Sequence, residues 1–153
     1  APQQAAPAPA PKRVVLVGYG RVGSLIGKAL DDARATYSVI EDREDLVELL
    51  TTRGIAVVPG NAISKDTMEK AGVAQADLMF VTVPDGFEAG RIVELARTLN
   101  PNVKVYARAH SDAEVEHLRA FGADLIVSGE QEIADAMIEK ATAVIPRRAV
   151  ARA

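Results

Sequence analysis

Hydrophobic and polar positions follow two periods along the chain, and these periods predict strands and helices in alternation. Short apolar runs such as Val14-Val15-Leu16-Val17 and Leu78-Met79-Phe80-Val81 are typical of strands that are buried on both faces of a sheet. Between the runs, apolar residues recur every three or four positions, which predicts helices with one buried side. The predicted strands are 13–17, 37–41, 55–58, 78–83, 103–107 and 124–127, and the predicted helices are 21–30, 43–52, 64–71, 87–99, 111–122 and 130–143.

The order of these elements predicts an α/β fold with a Rossmann-like, doubly wound parallel sheet of six strands. Parallel neighbours require crossover connections, and such crossovers are right-handed. The strand order expected for this fold is 3-2-1-4-5-6, with helices on both faces. A ligand is then expected at the carboxyl edge, above strands 1 and 4, where the order reverses. These elements leave no room for a second, substrate-binding domain.

The first predicted strand runs directly into a glycine-rich turn, Gly18-Tyr19-Gly20-Arg21-Val22-Gly23, which matches G-x-G-x-x-G between a strand and a helix. Gly18 allows a tight turn, Gly20 lets the backbone approach a phosphate, and Gly23 lets the helix pack closely on the strand. The amino end of the helix offers free N–H groups and the positive end of its dipole. All six residues are therefore predicted to contact a nucleotide. Arg21 either covers a phosphate or is a solvated surface arginine.

An acidic residue, Glu41, ends the second predicted strand, where a carboxylate can accept hydrogen bonds from a ribose diol. In the alternative arrangement, Glu41 caps the next helix and Asp42 reaches the sugar. A carboxylate here repels a 2′-phosphate, which disfavours NADP, although the neighbouring Arg43 weakens that conclusion.

One further polar position is predicted at the end of a later strand, and a capping motif is predicted at the start of a later helix. Thr82 ends the fourth strand at the expected reversal point, where its hydroxyl can contact a ribose or a phosphate. In the alternative, Pro84-Asp85-Gly86 only forms a turn before the next helix. Ser111 and Glu114 have the spacing of a capping box at the start of the fifth helix.

Composition and charge narrow the classes of function. The net charge is −3 and the basic residues are scattered, which disfavours a nucleic-acid partner. There is no cysteine, and the histidine and carboxylate spacing fits no metal, so no catalytic or metal-binding residues are predicted. No apolar run reaches the length of a membrane span. Residues 1–11, with four prolines, predict an Ala/Pro-rich linker or disordered start, followed by one domain over 12–145 and a tail over 146–153.

The chain resembles RCK domains, the nucleotide-sensing N-terminal domains of Trk potassium uptake regulators. Dehydrogenases share the glycine loop, but Gly60-Asn61-Ala62 after the third strand and Ala107-Arg108-Ala109-His110 after the fifth make the resemblance specific. Many members carry Asp where this chain has Asn61. Over about residues 12–145, the chain is most similar to the C-terminal regulatory domain of Kef-type cation/proton antiporters, especially the YbaL branch. Two more segments carry the resemblance, Val83-Pro84-Asp85-Gly86 and Gly129-Glu130.

This resemblance implies roles for three more residues and a class of ligand. It implies that Asn61 and Ala62 lie beside an adenine and that Arg108 approaches phosphates from across the cleft. Two alternatives stay open: Asn61 only makes a turn, and Arg108 forms a structural ion pair. The implied ligand is AMP or NAD(H), with ATP and ADP as further candidates and AMP favoured.

The resemblance also implies partners and a location. The domain is expected to regulate a membrane transport domain of the same full-length chain, without being an enzyme, at the cytoplasmic face of the inner membrane. Two copies are expected to form a homodimer through the last three helices, where Ile133, Met137 and Ala141 form a candidate apolar stripe.

Two alternative functions remain open from the sequence. A separate cytosolic Trk-type regulatory subunit would have the same nucleotide cleft. A small NAD-dependent oxidoreductase would need an acid–base residue as well as a cofactor site. Of the two histidines, His110 is expected to cap or pack in a loop and His117 is expected on the surface, which disfavours the enzyme.

Overall fold

A six-stranded parallel sheet organises the described part of the chain, residues 12–145, in this computed structural model. Its strand order, β3-β2-β1-β4-β5-β6, confirms the prediction. The strands are β1 (Arg13–Val17), β2 (Thr36–Glu41), β3 (Val57–Pro59), β4 (Leu78–Val81), β5 (Lys104–Ala109) and β6 (Leu125–Ser128). The helices are α1 (Arg21–Asp32), α2 (Glu44–Thr52), α3 (Lys65–Lys70), α4 (Gly86–Leu99), α5 (Asp112–Ala120) and α6 (Gly129–Ala141), and a 3₁₀ turn spans Val73–Gln75. The predicted linker 1–11 and tail 146–153 lie outside the described residues.

Successive side chains of the central strand β1 point to opposite faces of the sheet, and each face has its own apolar core. Leu16 packs with residues of α1 and α2 in the smaller core. Val15 and Val17 belong to the larger core, which α3, the 3₁₀ turn, α4 and α5 cover. Because side chains alternate along a strand, one short apolar run supplies both cores. Helices therefore cover both faces, as predicted.

Most element boundaries differ from the predicted ones by one or two residues, and three strands show why. β3 begins at Val57, because the N–H of Ile55 donates to Leu50 O and still belongs to the end of α2. β4 ends at Val81, and the side chain of the next residue, Thr82, turns towards β1. β5 continues to Ala109, which pairs with Ser128. Within residues 12–145, no helix combines the length and the apolar character that a membrane crossing requires.

The junction of β1 and α1 is sterically tight at Gly23. A Cβ atom at Gly23 would lie 2.0 Å from Gly18 O and 3.1 Å from Thr82 Oγ1. The nearest of these atoms belongs to the backbone, so a side chain there would force the strand and the helix apart. Gly129, at the start of α6, differs because a Cβ there would meet nothing within 4 Å.

We expect Gly23→Ala to lower the free energy of unfolding by about 2 kcal/mol or more, because overpacking against backbone displaces a whole element. Urea denaturation followed by circular dichroism measures this change. Gly129→Ala is the matched control, and it should change stability by less than about 0.5 kcal/mol. Equal stability of the two variants would contradict the packing described for Gly23.

Candidate functional site

The glycine loop forms a turn with one open position. Gly18 has φ +92°, a conformation that favours glycine. Gly20 precedes the first turn of α1 as its N-cap residue, and a Cβ there would meet nothing within 4 Å. The loop therefore has the sterics that the sequence predicts, with free space in front of the amino end of α1.

Glu41 fastens this loop to the end of β2. Its Oε1 accepts a hydrogen bond from the N–H of Tyr19 (2.9 Å), and its Oε2 accepts from the N–H groups of Asp42 (2.8 Å) and Arg43 (3.0 Å). The side chain is buried, at 7% exposure, whereas Asp42 is exposed. The structure therefore has features of both predicted alternatives. Glu41 lines the cleft, and its carboxylate also accepts hydrogen bonds from the backbone just before α2.

Thr82 fastens the loop from the other side. Its hydroxyl donates to Val17 O at 2.8 Å and lies 3.2 Å from Gly18 O. A Cβ at Gly18 would lie only 2.7 Å from this hydroxyl. Because its proton is already used, Thr82 can offer a ligand only an acceptor, and its main contact is with the turn.

Two adjoining cavities form a cleft along the carboxyl edge of the sheet. The larger has a volume of about 460 Å³, within the usual range for small-molecule sites. Every residue predicted for the site lines one of the two cavities, except Tyr19. The larger contains Gly18, Gly20, Arg21, Val22, Gly23, Glu41, Asp42, Thr82 and Arg108, and the smaller adds Asn61 and Ala62.

Tyr19 differs from the prediction because its side chain turns into the smaller core. It is 5% exposed, and its ring lies where a Cβ of Gly27 would approach to 2.7 Å. Its N–H is bound to Glu41. The turn at Gly18 breaks the alternation of β1, so Tyr19 joins Leu16 in the smaller core instead of following Val15 and Val17 into the larger one.

The structure separates the alternatives for Asn61 and Arg108 in part. Asn61 Oδ1 accepts from the N–H of Ile63 at 3.0 Å, so the turn exists while the amide N–H₂ group remains available. Arg108 is half-buried at the cleft, and no carboxylate of residues 12–145 lies within salt-bridge distance of it. Of the two alternatives for Arg108, the structural ion pair is therefore not formed within the described residues.

The sequence prediction missed several cleft residues at the start of α2, in the loop between β4 and α4, and in the first turn of α4. These residues are Arg43, Leu46, Val83, Pro84 and Glu88. Their residue types do not identify them as cleft residues. Only their position in the sequence does, because each follows a strand that ends at the cleft.

Glu114 joins two walls of the cleft. Its buried carboxylate accepts from the N–H of Gly86 (2.7 Å), at the start of α4, and from the N–H of His110 (2.6 Å), after β5. These N–H groups, His110 first, hold the pKa of Glu114 below its usual value. Ser111 Oγ accepts from the N–H of Glu114 at 3.2 Å, as the capping box predicts. The carboxylate, however, reaches Gly86 and His110 rather than Ser111.

The expected surface position of His117 is wrong. The ring lies half-buried between Phe87 and Phe121, with centroid separations of 4.9 and 4.8 Å, and Nε2 is 3.3 Å from Phe87 O. A Cβ at Gly90 would lie 2.3 Å from Nε2, so the glycine makes the space that the ring fills. Neither His117 nor His110 lines the two cavities.

The parallel sheet, the crossover helices and the glycine loop define a Rossmann-type domain. The family model of the TrkA-N domain matches residues 14–129, and the chain belongs to this family of RCK domains.

The chain is similar to one segment of several larger transport proteins. The chain is 44% identical over 125 residues to the putative cation/proton antiporter YbaL of Escherichia coli K12, covering 82% of this chain and 22% of that protein. It is 32% identical over 110 residues to the glutathione-regulated potassium-efflux system protein KefC of Cronobacter sakazakii, covering 72% of this chain and 18% of that protein. The chain thus spans about a fifth of the length of these relatives.

Solved structures agree with the fold. The crystal structure of the TrkA-N domain of the inner membrane protein YbaL from Escherichia coli matches with a TM-score of 0.83 and 43% identity, over 84% of this chain and 96% of that one. The GsuK channel bound to NAD matches with a TM-score of 0.73 and 26% identity, over 92% of this chain and 26% of that one.

We expect Glu114→Gln to lower the free energy of unfolding by about 1–3 kcal/mol at pH 7, because the amide has only one acceptor oxygen and turns its N–H₂ group towards the second backbone N–H. The folded pKa is below the unfolded one, so ionised Glu114 stabilises the fold above about pH 4.3 and loses this effect as the pH falls through the folded pKa. The difference from the wild type should therefore shrink in acid. Urea titrations from neutral to acidic pH measure it.

Glu48→Gln, an exposed change on α2, is the control for loss of a carboxylate and should give a small offset at every pH. A Glu114→Gln deficit that stayed constant down to pH 3 would contradict the linkage.

Proposed function

We propose that this domain is a nucleotide sensor that regulates monovalent cation transport. Its ligand is an adenine nucleotide, AMP or NAD(H), and its output is a change in the membrane part of a Kef- or YbaL-like cation/proton antiporter. The observation that carries the proposal is the open space over Gly20, at the amino end of α1, beside the buried carboxylate of Glu41. Such a site suits an anionic phosphate with a ribose next to it.

The charges around the cleft support a phosphate ligand. Arg21, at the start of α1, and Arg108, on β5, both line the larger cavity. Guanidinium groups bind phosphate oxygens with two parallel hydrogen bonds, so each can add a charge-assisted contact. The GsuK channel has been crystallised with NAD and also with ADP, the latter at 27% identity to this chain, which supports an adenine nucleotide as the ligand class.

The two candidate nucleotides would use different amounts of the cleft. AMP needs the glycine loop, the carboxylates of Glu41 and Asp42, and the adenine end near Asn61. NAD(H) extends to Thr82 and Arg108, and ATP or ADP would place extra phosphates there. Because Glu41 already accepts three backbone N–H groups, the exposed Asp42 is the freer acceptor for the ribose.

Regulation, rather than catalysis, suits the groups that line the cleft. Neither histidine lines it, and hydride transfer would need an acid–base residue beside the cofactor. For a sensor, the nucleotide must favour one conformation, with a coupling free energy of about 1–3 kcal/mol. The transport domain of the same chain, at the cytoplasmic face of the inner membrane, would receive that change. The similarity of the present chain to parts of YbaL and KefC supports this partner.

A homodimer is the assembly that the exposed face of α6 supports. No residue of α6 is buried, and Ile133, Met137 and Ile138 are 64%, 67% and 51% exposed. Apolar side chains of this size on one helix side favour association in water. In this proposal, the second copy of the chain covers them.

We expect Gly20→Asp to abolish binding of AMP and of NAD, because the new carboxylate occupies the phosphate position and repels it. The fold should persist, since a Cβ at Gly20 meets nothing within 4 Å. Isothermal titration calorimetry measures affinity, and circular dichroism checks folding. Thr98→Asp adds the same charge on an exposed position in the last turn of α4 and should bind normally. Undiminished binding by a folded Gly20→Asp variant would refute the phosphate placement.

We expect sedimentation velocity to show a dimer of the wild-type chain. Met137→Lys should shift it to monomer, because a desolvated ammonium would oppose association. Glu139→Gln raises the net charge by the same amount on the opposite side of α6 and should leave the dimer intact. A monomeric wild type at high micromolar concentration would contradict this assembly.

A further inference from the structure

The smaller cavity is a recess of about 40 Å³ with apolar walls and a polar rim, which admits the edge of a flat ring and not the whole ring. Its apolar walls come from the ends of β1 and β2 and from the loops after β3 and β4. Its polar groups come from four side chains. The apolar residues are Val17, Ile40, Ala62 and Val83, and the polar side chains are those of Glu41, Asp42, Asn61 and Glu88.

Only some of these polar groups are free to meet a ligand. Both oxygens of Glu41 already accept backbone N–H groups. Oδ1 of Asn61 accepts from Ile63, which leaves its amide N–H₂ as a donor. Asp42 is exposed to water. The half-buried carboxylate of Glu88 has no hydrogen-bond or ion-pair partner within residues 12–145.

The start of α4 presents Glu88 in a fixed position. Asp85 caps the helix, with Oδ1 accepting from the N–H groups of Phe87 (2.8 Å) and Glu88 (3.3 Å). Gly86 is held by Glu114 at 2.7 Å. Because the backbone of this turn is already anchored, only the side chain of Glu88 has to be ordered when it binds, which favours a specific contact.

We propose that Glu88 is a specificity-determining residue that accepts a hydrogen bond from the 6-amino group of the purine. The proposal rests on the proposed function, and it identifies the chemical group of the ligand that Glu88 recognises. An ionised carboxylate only accepts hydrogen bonds, so it pairs with the N–H groups of a 6-aminopurine and opposes the carbonyl of a 6-oxopurine. Asn61 supplies a donor for a neighbouring ring nitrogen. A site built for a hydrogen bond rejects an analogue that leaves its polar group unpaired.

Because Glu88 is negatively charged, the direction in which AMP affinity changes on its removal distinguishes two possible roles. If Glu88 acted only through its negative charge, removing that charge would strengthen binding of every anionic nucleotide. If it accepts a hydrogen bond from the base, the same change weakens binding of the amino ligand and narrows selectivity. The two accounts therefore predict opposite changes in affinity for AMP.

The test compares AMP with inosine 5′-monophosphate by isothermal titration calorimetry on the full chain. The wild type should bind AMP about tenfold more tightly or better, since each unpaired buried group costs a factor of this order. In Glu88→Gln, and in Glu88→Ala as a second variant, AMP affinity should fall and the ratio should drop to about threefold or less. Glu94→Gln removes an exposed carboxylate from the same helix and should keep the wild-type ratio.

The outcomes separate this inference from the function on which it rests. Wild-type selectivity or tighter AMP binding in the folded Glu88 variants overturns the role of Glu88 and leaves the nucleotide sensor intact. Preference of the wild type for the 6-oxo nucleotide also overturns it. A wild type that binds none of AMP, NAD or the inosine nucleotide overturns the proposed function and this inference together.

Discussion

The close contact between the backbones of β1 and α1 is the constraint on which the rest of the site depends. Only a residue without a Cβ fits at Gly23, because Gly18 O occupies that space. Such proximity lets the helix start directly at the edge of the sheet, with its amino end facing the cleft. The flanking strands then hold the turn from both sides, Glu41 from β2 and Thr82 from β4. The reversal point of the sheet is thereby fixed before any ligand arrives.

A rigid turn explains how the polar groups of the cleft divide. Groups that maintain the shape are already hydrogen-bonded inside the protein, as Glu41, Thr82 and Glu114 are. Two charged groups with no ion-pair partner among residues 12–145 line the cleft: the guanidinium of Arg108 in the larger cavity, together with Gly20, and the carboxylate of Glu88 in the smaller one. This division is typical of preorganised binding sites, in which little has to be rearranged when a ligand enters.

The sequence could predict the strand order and the glycine loop because both depend on local patterns. Alternating apolar runs and helical spacing identify each element, and crossover rules then leave few topologies. Side-chain partners were harder to predict because they lie far apart in the chain. Thr82 and Val17 are 65 residues apart, and Glu114 and Gly86 are 28 residues apart. His117 was misplaced for the same reason, since the space for its ring comes from Gly90 on another helix.

The pairing of the last two strands gives the proposed signal a short path out of the cleft. Arg108 of β5 pairs with Val127 of β6, and the next pair joins Ala109 to Ser128. α6 begins at the following residue, Gly129, and its apolar side is exposed. Glu114 meanwhile links the exit of β5 to the start of α4. A phosphate that moved Arg108 would therefore act on the start of α6 through the backbone hydrogen bonds of the sheet, and on α4 through the carboxylate of Glu114. In the proposed function, nucleotide binding and the assembly of two copies are thus connected through one edge of one sheet.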